Sequence, residues 1–118
     1  MHRYRRHRAG QAHVLDGLGY TAHHAGDPAT AARHYSQAAV LYEELGDDYF
    51  LADALDMLGE VYGALQRHDQ ARVTWRRAIR LYAAQRRGSD VSRLRGKCAS
   101  LSLPRHHDLW GTEGGMPL

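Results

Sequence analysis

Two groups of side chains in this sequence have the chemistry to hold a cation. His13, His23 and His24 stand near one another with Asp16 one helical turn after His13, and Asp53, Asp56 and Glu60 recur at helical spacing further along. Imidazole nitrogens and carboxylate oxygens are ligands for divalent metals. No His-Glu-x-x-His and no tight ligand spacing is present, so both groups are read as polar helix faces that meet solvent or a peptide. The adjacent His106 and His107, in a Pro/Gly-rich segment, receive the same reading. Cys98 has Arg95 and Lys97 nearby, which would favour a thiolate. It also shares a helical stripe with Leu94 and Leu101, which makes it a small buried apolar group.

Arg72, Arg76 and Arg80 recur every fourth residue with Arg77 alongside. Such a stripe can contact phosphates. Without a recognition helix, a turn motif or interleaved aromatics, nucleic acid is not the expected partner. The stripe is read as a solvated outer face, or one that docks Glu43, Glu44, Asp47 and Asp48 of another copy. Nothing matches a phosphate-binding GxxxxGK[ST], a GxSxG nucleophile turn or a Ser/His/Asp arrangement. No catalytic residue, cofactor or metal is assigned, and the chain is read as no enzyme.

A chain of 118 residues and 13.3 kDa accommodates one domain with a modest core. The apolar runs are too short to span a bilayer, and the basic start, MHRYRRHR, is not followed by the apolar stretch of a secretion signal. One cysteine excludes an internal disulfide framework and suits a reducing cytoplasm. All the basic residues but Lys97 are Arg, which reads as the coding of a high-GC bacterium. Charge is segregated: +4 over residues 1–10, −8 over 11–64 and +9 over 65–105. An acidic half beside a basic half favours association end to end, with another copy or a neighbouring module.

The elements that position these residues come from a repeat. LDGLGY from Leu15 returns as LDMLGE from Leu55, and residues 15–42 laid over 55–82 share eight identities. Leu15, Leu18 and Ala22 form one helical stripe, repeated by Leu55, Leu58 and Tyr62. Asp27 followed by Pro28 starts a second helix, with Ala31, Tyr35, Ala38, Leu41 and Tyr42 as its apolar face. Ala71, Trp75, Ala78, Leu81 and Tyr82 are the counterpart. Gly46 ends that second helix and Asp47-Asp48 starts another. Each unit is a helical hairpin in which matched small residues (Gly19 and Gly59, Ala31 and Ala71, Ala38 and Ala78) allow close approach. Tyr35 and Trp75 supply bulk between the hairpins.

Leu55-x2-Leu58-Gly59-x2-Tyr62 followed by Ala71-x3-Trp75-x2-Ala78 resembles the tetratricopeptide repeat. Leu15-x2-Leu18-Gly19-x2-Ala22 followed by Ala31-x3-Tyr35-x2-Ala38 matches it less closely. The likeness covers roughly residues 11–87, with a period of forty instead of thirty-four and no proline closing the second helix. The wording is most similar to the C-terminal repeats of NB-ARC-type ATPases and antibiotic-pathway activators of high-GC bacteria. That resemblance implies a sensing or partner-binding arm. It also implies that the first helix of each unit lines a groove. The matching positions are His13, Asp16, Tyr20, His23 and His24 in unit one, and Asp53, Asp56 and Glu60 in unit two.

The expected architecture is an all-α solenoid of two hairpins, with helices near 11–25, 27–45, 49–65 and 68–86, and a capping helix near 90–102 begun by Ser89-Asp90. The boundaries are a frayed basic arm over 1–10, units over 11–47 and 48–88, a cap over 89–103 and a disordered tail over 104–118. The function is non-catalytic binding of a protein or peptide with basic character, because the acids of the groove outnumber the cations near them in sequence. The alternatives are self-association through Val14, Leu15 and Leu18, where no cap precedes unit one, and a sensing fragment of a larger regulator or ATPase.

Overall fold

The computed structural model describes residues 2–102; Met1 and the expected tail lie outside the described residues. Five helices follow one another, α1 (His2–His24), α2 (Pro28–Leu45), α3 (Asp48–Ala64), α4 (His68–Ala84) and α5 (Gly88–Ser102), and no strand occurs among the described residues. The protein is therefore the all-α helical-repeat solenoid its periodicity predicts.

Local chemistry sets the boundaries. The Asp27 carboxylate accepts from the Thr30 N–H at 3.2 Å and Pro28 follows as the first helical residue of α2. Asp47 does the same for α3 through the Phe50 N–H at 3.1 Å. Four residues at twenty-residue intervals, Gly26, Gly46, Gln66 and Arg86, hold a left-handed φ of 80°, 69°, 62° and 59°. At each turn the next N–H (Asp27, Asp47, Arg67 or Arg87) donates back to the carbonyl of Ala22, Tyr42, Tyr62 or Tyr82 at 2.9 Å. That six-to-one bond is the Schellman ending, which satisfies carbonyls left open by the last helical turn.

Two boundaries differ from expectation. The basic residues at the start are no separate arm, because α1 runs from His2. Its first turns pack beside the end of α2: Arg5 Nη2 donates to the Leu45 carbonyl at 2.8 Å, and Arg8 Nη2 pairs with Glu44 at 2.7 Å. Guanidinium groups at a helix C-terminus meet exposed carbonyls and the negative end of the dipole. At the other end, α5 starts at Gly88, so Ser89 and Asp90 lie within its first turn instead of capping it.

Each helix packs chiefly on its neighbours in the chain. Ala31, Ala38, Ala71 and Ala78 are fully buried, and Tyr35, Tyr42, Trp75 and Tyr82 fill the core around them. The glycines receive aromatic rings. A β-carbon added to Gly19 would lie 2.9 Å from the Tyr35 ring, and one added to Gly59 would overlap the Trp75 indole. Trp75 Nε1 also donates to the Asp56 carbonyl at 3.0 Å. Both rings thus sit inside a hairpin, each pressed onto the glycine of its partner helix, and not between the hairpins as the sequence suggested. Leu58 is buried, but its counterpart Leu18 stays 45% exposed, since α1 has a helix on one side only.

Candidate functional site

The odd-numbered helices carry the candidate groove, and a tyrosine from each following helix organises it. Tyr42 of α2 donates its hydroxyl proton to Asp16 Oδ2 at 3.0 Å and meets His13 Nδ1 at 2.7 Å, so that imidazole nitrogen is the donor. Tyr82 of α4 sits 2.8 Å from both Asp53 Oδ1 and Asp56 Oδ2. Burial, reinforced by the neighbouring carboxylates, pushes both phenols above their ordinary range and keeps them as proton donors.

One hydroxyl proton cannot satisfy two carboxylates, and cations complete the set in unit two. Arg93 of α5 takes Asp56 with both terminal nitrogens, at 2.5 and 3.3 Å, and reaches Asp90 at 2.9 Å. Lys97 holds both oxygens of Glu60. Arg87 lies 3.4 Å from Asp53 and 3.0 Å from Asp90, with its guanidinium over the rings of Tyr82 and Tyr49 at 4.5 and 4.9 Å. The groove acids Asp16, Asp53, Asp56 and Glu60 still outnumber the cations Arg87, Arg93 and Lys97, but three of the four acids are paired. α5 brings the positive charge from about forty residues downstream, where linear neighbourhood does not show it. Asp53, Asp56 and Glu60 are ion-paired, and of the three Asp56 is buried while Asp53 and Glu60 stay partly exposed.

Unit one remains open. Burial raises the Asp16 carboxyl, the Tyr42 hydrogen bond and His13 oppose the rise, and the charge of Asp53 adds to it. Tyr20 is 57% exposed and stacks on His24 at 4.0 Å between ring centres, while His24 Nδ1 bonds the Tyr20 carbonyl at 3.0 Å. His23 meets the edge of His24 at 5.5 Å. The His13 ring contacts Phe50 at 4.7 Å, and Phe50 continues to Tyr42 at 5.6 Å and Tyr49 at 5.3 Å. An aromatic and imidazole surface with one poorly solvated carboxylate therefore runs from Tyr49 and Phe50 across α1.

The structure thus brings His13 and Asp16 together, and separately Asp53 and Asp56, while Tyr20, His23 and His24 form a cluster one turn further along α1. Sequence reasoning missed Tyr49, Phe50, Arg87, Arg93 and Lys97, and treated Tyr42 and Tyr82 as apolar. A signal was present. Tyr42 follows His13 and Asp16 by 29 and 26 residues, and Tyr82 follows Asp53 and Asp56 by the same two separations. Among the described residues no group of three or more His, Cys, Asp or Glu is placed to hold a metal ion, and His106 and His107 lie outside them.

The other singled-out residues sit elsewhere. Arg77 pairs with Glu43 at 2.8 Å and Arg8 with Glu44 at 2.7 Å, so two of the acids expected to meet another copy are engaged within this one, and Arg72 pairs with Asp69 at 2.9 Å. Arg76, Arg80, Arg95 and Cys98 line a groove of about 330 Å³ between α4 and α5. Burial pushes the Cys98 thiol up, against the pull of Arg76 and Arg72.

Residues 9–84 match the tetratricopeptide repeat as a family. The chain belongs to the tetratricopeptide repeat family. None of the curated proteins compared with it matches. Tetratricopeptide repeats mediate contacts between proteins, and the family is typically non-catalytic. None of the described helices of this tetratricopeptide module is long and apolar enough to cross a membrane.

Proposed function

We propose that this tetratricopeptide module is a non-catalytic adaptor or regulatory arm that binds an extended protein segment across α1 and the start of α3. One observation carries the reading: Tyr42 fixes His13 and Asp16 from beneath, while Tyr20 and His24 beside them stay exposed. Rigid aromatic surface of this kind binds at low entropic cost. The segment carries one basic side chain over Asp16. That carboxylate shares the field of Asp53, and among the described residues no guanidinium pairs with it as Arg93 does with Asp56. The likeness to regulator C-terminal repeats supports the regulatory role.

The test uses a fluorescent arginine-containing octapeptide titrated into the intact chain. Asp16→Asn together with Tyr20→Ala is expected to weaken binding about tenfold, equivalent to ~1.4 kcal/mol. An affinity indifferent to both changes overturns the proposal. Asp56 and Glu60 make poor test positions, since removing them loosens α5.

A further inference from the structure

The groove between α4 and α5 holds charge that the fold does not use. Of the basic residues from Arg67 to Lys97, Arg72, Arg77, Arg87, Arg93 and Lys97 pair with carboxylates. Arg76, Arg80 and Arg95 pair with none among the described residues, yet all three are exposed along this one groove, with the half-buried Ile79 and Cys98 between them. The charges that act on Cys98 are those of Arg76 and Arg72, and no carboxylate is among them. Arg72 Nε is itself buried without a hydrogen-bond partner. Arg95 stands two residues from both Arg93 and Lys97, about half a turn round α5, so the groove faces away from the acids that those two hold.

The repeat shows that the joint does not need this charge. Forty residues earlier, at the α2–α3 joint, the matching residues are Ser36, Val40 and Leu55, none of them charged. Like charges one turn apart on a helix, as Arg76 and Arg80 are, oppose the fold. A ligand that brings negative charge relieves that opposition. A second copy offers little of it, because every acid among the described residues except Asp48 already accepts a hydrogen bond or forms an ion pair. A single-stranded nucleic acid would find no ring on which to stack a base, since no aromatic side chain lines the groove. Its phosphate backbone also carries nothing apolar to set on Ile79 and Cys98. We propose that this groove docks an acidic segment of a partner protein, with carboxylates on Arg76, Arg80 and Arg95 and one apolar side chain over Ile79 and Cys98. Guanidinium groups hold carboxylates through paired, charge-assisted hydrogen bonds. The site is separate from the α1–α3 face, whose ligand is basic.

The probe is a fluorescent octapeptide with Glu-Glu-Leu-Glu-Glu at its centre, titrated into the whole chain by fluorescence anisotropy at low salt. Saturable binding is expected, weakened about tenfold by Arg76→Gln with Arg80→Gln, exposed positions whose fold circular dichroism verifies. Serine in place of the peptide's leucine should weaken it as well. Arg76→Glu with Arg80→Glu should turn the preference toward the same peptide with lysines for its glutamates. Asp16→Asn with Tyr20→Ala should leave binding unchanged. No saturable binding overturns the proposal, and so does an equal loss from Arg3→Gln with Arg6→Gln, which would reveal charge attraction without a site. An oligothymidylate of equal charge that displaces the peptide at the same concentration overturns it in favour of a phosphate backbone. A dimer in light scattering that the Arg76 and Arg80 substitutions dissolve assigns the groove to a second copy instead.

Discussion

Trp75 lies against Gly59 with no room for a β-carbon, while a β-carbon on Gly17 would meet nothing within 4 Å. The two glycines therefore separate close packing from helix propensity. Gly59→Ala gains what alanine gains in any helix but must move a buried indole that also donates to the Asp56 carbonyl. Overpacking of that kind costs about 1–3 kcal/mol. Gly17→Ala meets no such contact and should stabilise by about 0.5–1 kcal/mol. Urea unfolding of the two variants measures the opposite signs, and equal shifts would refute the packing argument. The glycine at this position was legible from the repeat, as was its need for a close neighbour. That the neighbour is a ring within the same hairpin was not, because identity at matched positions says which residues are equivalent and not which face each turns. The buried tyrosines show the same limit. Helical periodicity puts Tyr42 and Tyr82 on the apolar side, and only the fold reveals that each hydroxyl emerges under the carboxylates of the neighbouring helix.

At the scale of elements, four turns share one backbone shape but not one residue type. Glycine holds the left-handed position at Gly26 and Gly46, whereas Arg86 holds it at φ 59° with a side chain that disfavours it. Arg86→Gly is expected to raise stability by about 1 kcal/mol, the usual penalty of a left-handed non-glycine residue. Gly46→Ala should lower it by a similar amount, both read from thermal unfolding. The helix starts at Asp27 and Asp47 could be read directly, since aspartate before a helix has a defined hydrogen-bonding job. The start of α1 could not. Its first turns draw on Arg5 reaching the Leu45 carbonyl and Arg8 reaching Glu44, contacts 40 and 36 residues away that leave no local periodic mark.

Across the whole molecule, the segregation of charge along the chain disappears in space. Arg77 meets Glu43, Arg87 meets Asp53, Arg93 meets Asp56 and Lys97 meets Glu60, so the basic second half neutralises much of the acidic first half internally. End-to-end attraction between copies is weakened accordingly. Because each helix rests chiefly on its chain neighbours, stability is a sum of adjacent contacts and the ends are held from one side. Amide hydrogen exchange should therefore be slowest in α3, which carries the most buried helix face, and fastest in the first turns of α1 and the last of α5. Uniform protection across all five helices would contradict this picture.

The left-handed residues at 26, 46, 66 and 86 fall on a constant stride, and that has a consequence for size. Val91 and Leu94 of α5 occupy the register held by Leu51 and Ala54 of α3. A tandem copy of residues 48–87 spliced after Arg87 would therefore present to α4 the same kind of stripe that α5 presents now. The length of this molecule is quantised in whole hairpins, and such growth would exchange the Arg93–Asp56 and Lys97–Glu60 pairs of the last joint for the Asp53 and Met57 of the added copy.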